Sequence, residues 1–183
     1  RLWIFEQLLP GVPLYNLPLN LRLTGSLHLA ALERCFRQLL ARHESLRTAI
    51  RAEDGQPRQA IQAAWPWTLP VVDLSGLAAH LREPAALRLA GQDASRVFRL
   101  AAAPLWRAIL FRLGASEHLL AVTMHHMISD GWSLGVLVRE MALLYAAELQ
   151  PGLPPSLADL PIQYADYAAW QRLALSGETL AEQ

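Results

Sequence analysis

The sequence predicts an α/β (α+β) two-layer sandwich in which a mixed β-sheet packs against helices. Strand-length apolar runs at 19–24, 104–113 and 117–123 alternate with segments whose apolar residues fall at helical spacing, and Gly, Pro or Ser punctuates the joins. The 183 residues are 53% hydrophobic, enough to bury a substantial core in one domain or part of a larger one. Those apolar residues are dispersed. No stretch approaches the roughly 20 consecutive apolar residues that span a bilayer, and no charged-then-apolar leader opens the chain, so a soluble cytoplasmic protein is expected.

Arg1-Leu2-Trp3-Ile4-Phe5 opens in an apolar, aromatic segment without a polar lead-in, which predicts that the natural protein extends upstream. A Pro/Gly-punctuated stretch from Pro10 to Pro18 precedes a strand from Leu19 to Thr24, with Leu19, Leu21 and Leu23 on one face, and Gly25-Ser26 breaks it. From Leu27 to His43 the spacing of Leu32, Phe36, Leu39, Leu40 and His43 gives an amphipathic helix. A hairpin follows, with Arg47–Ala52 and Gln56–Gln62 flanking Glu53-Asp54-Gly55, where glycine supplies the positive φ of a tight turn.

Trp65 to Gly76 reads as extended chain or loop, and Leu77 to Ser95 as an Ala/Leu-rich helix interrupted by Pro84. Two neighbouring strands, Pro104–Leu113 and Glu117–Thr123, are expected at the centre of the sheet. Leu134 to Leu149 is helical, with Leu134, Leu137, Val138, Met141, Leu144 and Tyr145 on its apolar face and Gln150-Pro151-Gly152 at its end. Pro154-Pro155 marks a loop. A last helix carrying Tyr164, Tyr167, Trp170 and Gln171 is expected to lie against the body. No internal repeat or interdomain linker is evident.

Formal net charge is +0 and the 16 basic residues, all arginine, are scattered, so nucleic acid is not an expected partner, nor is a membrane. The single cysteine, Cys35, falls on a helix's apolar stripe and reads as a buried, unreactive thiol.

The chemistry concentrates at Met124 to Ser133, MHHMISDGWS, where a strand passes into a helix. Successive side chains on an extended segment point to opposite faces, so only one of His125 and His126 can be a working base in a cleft, and the other is structural. An imidazole titrates near neutrality and can take a proton from an attacking nucleophile. Asp130 stands at a helix start, where a carboxylate caps backbone N–H groups, pairs with an arginine, or does both. Gly131 permits a tight bend beside it. Read by itself, His-His-x-x-x-Asp-Gly admits either a catalytic base or a structural loop. His28, His43, His80 and His118 read as surface or satisfied core residues without chemistry. No metal is expected: adjacent histidines diverge, and no Cys/His cluster completes a shell. Ser129 and Ser133 lack a nucleophile elbow and read as caps.

These residues resemble the His-His-x-x-x-Asp-Gly core of condensation domains of nonribosomal peptide synthetases. Arg42-His43-Glu44-Ser45-Leu46-Arg47-Thr48 is similar to that family's second motif, and Tyr164-Ala165-Asp166-Tyr167-Ala168-Ala169-Trp170-Gln171 to its fourth. Arg1-Leu2-Trp3 with Gln7-Leu8 is similar to the latter part of its first. The sequence departs from the family at Val97-Phe98-Arg99-Leu100, where an acidic residue often follows the Phe, and at His28, where an Asp is common; both departures are expected to affect surface contacts more than chemistry.

The resemblance implies a chloramphenicol-acetyltransferase-like lobe. Residues 1–183 would be the N-terminal lobe of a condensation domain whose C-terminal lobe is absent. It implies an acyltransferase of natural product biosynthesis: the amine of an acceptor aminoacyl thioester attacks a donor acyl or peptidyl thioester, and an amide forms. The substrates would ride on the 4'-phosphopantetheine of donor and acceptor peptidyl carrier proteins, with no cofactor bound by the domain itself and adenylation domains as neighbours. His126 is the expected cleft-facing residue, as base or by orienting the amine, with His125 beside it; Gly131 N–H is a candidate oxyanion donor and Asp130 an anchor. Arg47, or an arginine of the absent lobe, is the expected partner of Asp130. Arg42, Trp132, Ser133, Tyr164, Asp166 and Trp170 are motif residues with structural roles. The intact histidine pair and Trp132-Ser133 separate the chain from heterocyclising and epimerising relatives, and the motifs are most similar to the subtype that joins an L-configured donor to an L-amino acid. The fragment alone is expected to be inactive. Alternatives are a non-catalytic recruitment module and a stand-alone acyltransferase of the same fold.

Overall fold

The computed structural model describes residues 2–9, 11–150 and 157–174. In chain order they form α1 (Leu2–Leu8), β1 (Asn16–Thr24), α2 (Leu29–Arg42), a 3-10 turn (Glu44–Arg47), β2 (Thr48–Glu53), β3 (Gln56–Ile61), β4 (Val71–Asp73), α3 (Ala79–Ala94), β5 (Trp106–Arg112), β6 (Glu117–His125), α4 (Gly131–Leu149) and α5 (Tyr164–Ala174). The main sheet has the order β1-β6-β5-β4. β6 runs antiparallel to both neighbours, and β4 adds parallel to β5, so the sheet is mixed. Among the described residues no helix is long and apolar enough to cross a membrane.

Both faces of the sheet are covered, which explains why β6 is a continuous apolar run instead of an alternating one. Leu120, Val122 and Met124 point to α2 and α4, where Leu32, Cys35, Phe36, Leu39, Leu40 and Leu144 complete the larger core. Leu119 and Ala121 point the other way, onto Ala86 and Ala90 of α3. The sandwich of sheet against α2 and α4 thus carries α3 across its back, a placement the sequence left open. Phe36 stacks on Trp106 with ring centroids 5.8 Å apart, and Trp67 leans on both. The indole N–H of Trp106 donates to the carbonyl of Leu46 at 3.0 Å, which satisfies the only polar atom that the ring buries.

The hairpin forms as a separate two-stranded sheet, with Glu53 paired to Gln56 and both turn residues, Asp54 (φ 51) and Gly55 (φ 72), in the left-handed region that such a two-residue turn needs. Three details differ from expectation. The stretch read as extended chain or loop contains β4, a strand too short for periodicity to reveal. α2 starts at Leu29 because His28 caps it, the ring Nδ1 accepting from Ala31 N–H at 3.2 Å. α3 runs through Pro84 without interruption: Pro84 and His80, whose carbonyl loses its helical donor there, are both exposed, so water can replace the missing bond. The expected helix end at Gln150-Pro151-Gly152 and the Pro154-Pro155 loop fall, beyond Gln150, outside the described residues.

Candidate active site

β6 delivers the two histidines to opposite sides of the sheet. Its alternation, which faces Met124 to α2 and α4, does the same for His126 and turns His125 to the back. The strand pattern extends through both residues: His125 N–H donates to Leu105 O at 2.9 Å and His126 N–H to Tyr15 O at 2.8 Å. The chain then turns, with Ile128 N–H bonded to His125 O at 3.0 Å.

His125 is 2% exposed, held between Tyr15 and Phe98 at ring-centroid distances of 6.3 and 6.0 Å. Its Nδ1 accepts from Met127 N–H at 3.1 Å, so the neutral ring bears its proton on Nε2, which lies 3.2 Å from Glu6 Oε1 on α1. Burial lowers its pKa, against an opposing pull from the Glu6 carboxylate. His125, expected among the catalytic residues, therefore has no face on the cavity, and its position is that of a support beneath the loop.

His126 is exposed and lines a cavity of about 410 Å³ together with His43, Ser45, Met127, Asp130 and Trp132. Its Nδ1 lies 2.8 Å from the carbonyl oxygen of Ser129. A carbonyl only accepts, so Nδ1 carries the proton and the neutral ring keeps its lone pair on Nε2. Ser129 is itself fixed by a bond from Oγ to His125 O at 3.1 Å.

Asp130 caps α4. Its Oδ1 accepts from Ser133 N–H at 2.8 Å and from Ser133 Oγ–H at 2.6 Å, and these two bonds lead the causes that hold its pKa below the ordinary carboxylate range. The expected pairing with Arg47 does not occur. The Arg47 guanidinium instead donates to the carbonyls of Leu40 (2.8 Å), Ala41 (3.5 Å) and Gln62, because the orphan carbonyls at the end of α2 attract a cation. Gly131 also differs from expectation: its φ is not left-handed, and a Cβ there would meet nothing within 4 Å, so no bend requires glycine.

The remaining motif residues divide by element. Trp132, 83% exposed, and Tyr164 stand at the cavity, and Tyr164, Tyr167 and Trp170 form an exposed aromatic row along α5 with neighbouring ring centroids 6.1 and 5.8 Å apart. Asp166 accepts from Gln163 N–H at 2.8 Å, which is the N3 half of a capping box for α5. Gln163 ties that helix to the body through Arg42 O at 2.9 Å and Glu44 N–H at 3.2 Å. Arg42 reaches Glu140 on α4 and Ala158 O, at 3.3 and 2.6 Å.

Glu140 and His43 were missed. His43 lines the cavity, and its Nε2 lies 2.6 Å from Glu140 Oε2. A carboxylate three residues past Leu137 and four before Leu144 interrupts the apolar stripe of α4, and that interruption was the available signal. Among the described residues no cluster of three or more His, Cys, Asp or Glu is arranged to hold a metal ion.

A mixed sheet that ends one central strand in paired histidines, with the second opening on a cavity beside a capped helix, is similar to solved condensation domains, whose fold is of the chloramphenicol-acetyltransferase type. The Condensation domain family matches residues 1–183, and the chain belongs to it. A linear gramicidin synthase of Brevibacillus parabrevis is 47% identical over 183 residues, covering 100% of this chain and 2% of that protein. The first condensation domain of the calcium-dependent antibiotic synthetase, in complex with substrate analogue 2a, has TM-score 0.84 at 26% identity and covers 96% of this chain and 42% of that one. The X-domain from teicoplanin biosynthesis, in complex with OxyB, has TM-score 0.82 at 34% identity, covering 97% of this chain and 37% of that one. The chain thus spans 2 to 4% of the length of the linear gramicidin synthases it matches.

Proposed function

We propose that this chain is the histidine-bearing lobe of a cytoplasmic condensation domain that joins a donor acyl or peptidyl thioester to an acceptor aminoacyl thioester, both tethered to carrier proteins through phosphopantetheine. The carrying observation is the His126 ring: Nδ1–H is committed to Ser129 O, so a proton-free nitrogen remains on a ring that lines the cavity. The acceptor amine nitrogen attacks the thioester carbonyl carbon, the C–N bond forms, and the C–S bond breaks. The amine's surplus proton passes to His126 Nε2 and from there to the departing thiolate, so the products are an amide and a free thiol. Such a base contributes about 10² to 10⁴ in rate. Holding two tethered reactants in register contributes more, up to roughly 7–11 kcal/mol in well-oriented systems. Asp130 orders the loop as a cap. Gly131 N–H is the oxyanion donor, reaching the intermediate's oxygen at about 3 Å.

The complete domain, with adenylation and carrier domains as its neighbours, is the active unit; the isolated chain makes no amide. The test supplies the complete domain with a loaded donor and a loaded acceptor carrier and weighs the product. A dipeptidyl thioester on the acceptor carrier is expected. Its absence, with both carriers loaded and bound, overturns the reading. The X-domain's complex with OxyB favours a second reading, a recruitment module for a partner enzyme. That reading predicts partner capture with no amide product and no effect of His126 substitution.

A further inference from the structure

His43 and His126 line one cavity, yet the histidine motif employs only the second. His43 closes α2, its backbone N–H bonding Leu39 O at 2.9 Å, and its ring is then gripped from α4: Nε2 lies 2.6 Å from Oε2 of Glu140. Glu140 is 5% exposed, and the Arg42 guanidinium approaches the same oxygen at 3.3 Å. A carboxylate buried this deeply is strongly unfavourable without donors, and Arg42 can only donate, so Glu140 is the acceptor of this group. His43 Nε2–H therefore donates a hydrogen bond to Glu140, and the neutral ring's lone pair falls on Nδ1. The Arg42–Glu140 ion pair sets this orientation before any substrate arrives.

A primary amine carries two N–H bonds. When it attacks a thioester one proton must leave, and the other stays in the amide and needs an acceptor in a cavity from which water has been displaced. His126 Nε2 serves the first. We infer that His43 Nδ1 serves the second, as a substrate-facing imidazole that orients the acceptor amine, and that Glu140 is the residue positioning it. This inference rests on the amide-forming reading above. It carries a chemical signature: a secondary amine has only the one proton that leaves, so it makes no use of His43.

The test uses the complete domain with the acceptor carrier loaded with glycine or with N-methylglycine, and reads single-turnover amide formation at saturating acceptor. With the glycyl acceptor, His43→Phe is expected to lose on the order of 10-fold, about one hydrogen bond, and Glu140→Gln less, in the same direction. With N-methylglycyl, both variants are expected to lose markedly less than with glycyl. Equal losses on both acceptors, or no loss on glycyl, overturn the inference. Wild-type domain that makes amide with neither acceptor sinks the underlying function instead. Should either variant fail to fold, or the wild type refuse N-methylglycine, wild-type protein with ¹⁵N-labelled histidine decides: glycyl acceptor added without donor is expected to move the Nδ1 resonance of His43, and an unmoved resonance overturns the assignment.

Discussion

Ser129 holds His126 by its backbone: the carbonyl oxygen lies 2.8 Å from the ring Nδ1, within a single turn of chain. The bond selects the tautomer of the ring and directs the free lone pair to Nε2. Because the acceptor is main chain, no side-chain substitution at 129 removes it, and the base depends on the shape of the loop.

His126→Ala in the complete domain is expected to slow single-turnover condensation by about 10² to 10⁴ while carrier affinity stays within error of wild type. An unchanged rate would take His126 out of the chemistry.

Asp130→Ala is expected to cost about 1 kcal/mol of stability, with Asp130→Asn losing much less, since both Asp and Asn cap well. Ser133's two hydrogen bonds depress the Asp130 pKa. A depressed folded value contributes stability that is present above the unfolded pKa near 3.9 and disappears as pH falls through the folded value. Urea unfolding from pH 5 downward should therefore decline less steeply in Asp130→Asn than in wild type.

His118 and His125 act in the same direction as Asp130, at higher pH. Burial lowers the pKa of both, more than any other influence on either ring. Below about pH 6.5 the unfolded chain binds protons that these folded rings refuse, so stability falls as pH drops from there toward their lowered folded values. His118, 6% exposed, also buries an Nδ1 without a hydrogen-bond partner among the described residues. His118→Leu is expected to preserve or raise stability at pH 7 and to flatten the decline between pH 7 and 5.5; a wild-type slope in that variant would remove His118 from the account.

Cys35 is fully buried, and burial raises its thiol from an ordinary 9.0 to about 11. The thiolate population at neutral pH falls roughly 100-fold on that ground alone. Alkylation by iodoacetamide at pH 8 should proceed only after denaturant unfolds the chain; rapid labelling of native protein would contradict the burial.

His28→Asp tests the cap of α2. An anion at a helix N-terminus gains from the macrodipole as well as from the hydrogen bond, so the variant is expected to be more stable by up to about 1 kcal/mol in urea unfolding. Equal or lower stability would mean that the imidazole already caps as well as a carboxylate.

The sequence by itself determined what local physics controls. Alternation placed β1, strand-length apolar runs placed β5 and β6, and helical spacing placed α2 and α4; the Asp-Gly pair marked the hairpin, and the opposed faces of successive strand residues required that His125 and His126 part company. Only the tertiary structure decided which partners those residues meet. β4 is three residues long and exists because β5 offers an edge. Arg47 lies beside the end of α2 and not beside Asp130, and the Arg42–His43–Glu140 group joins residues 97 and 98 positions apart. Periodicity tells which face of an element is apolar, but a carboxylate and an imidazole become partners only when two helices cross the same side of one sheet, and that depends on how whole elements pack.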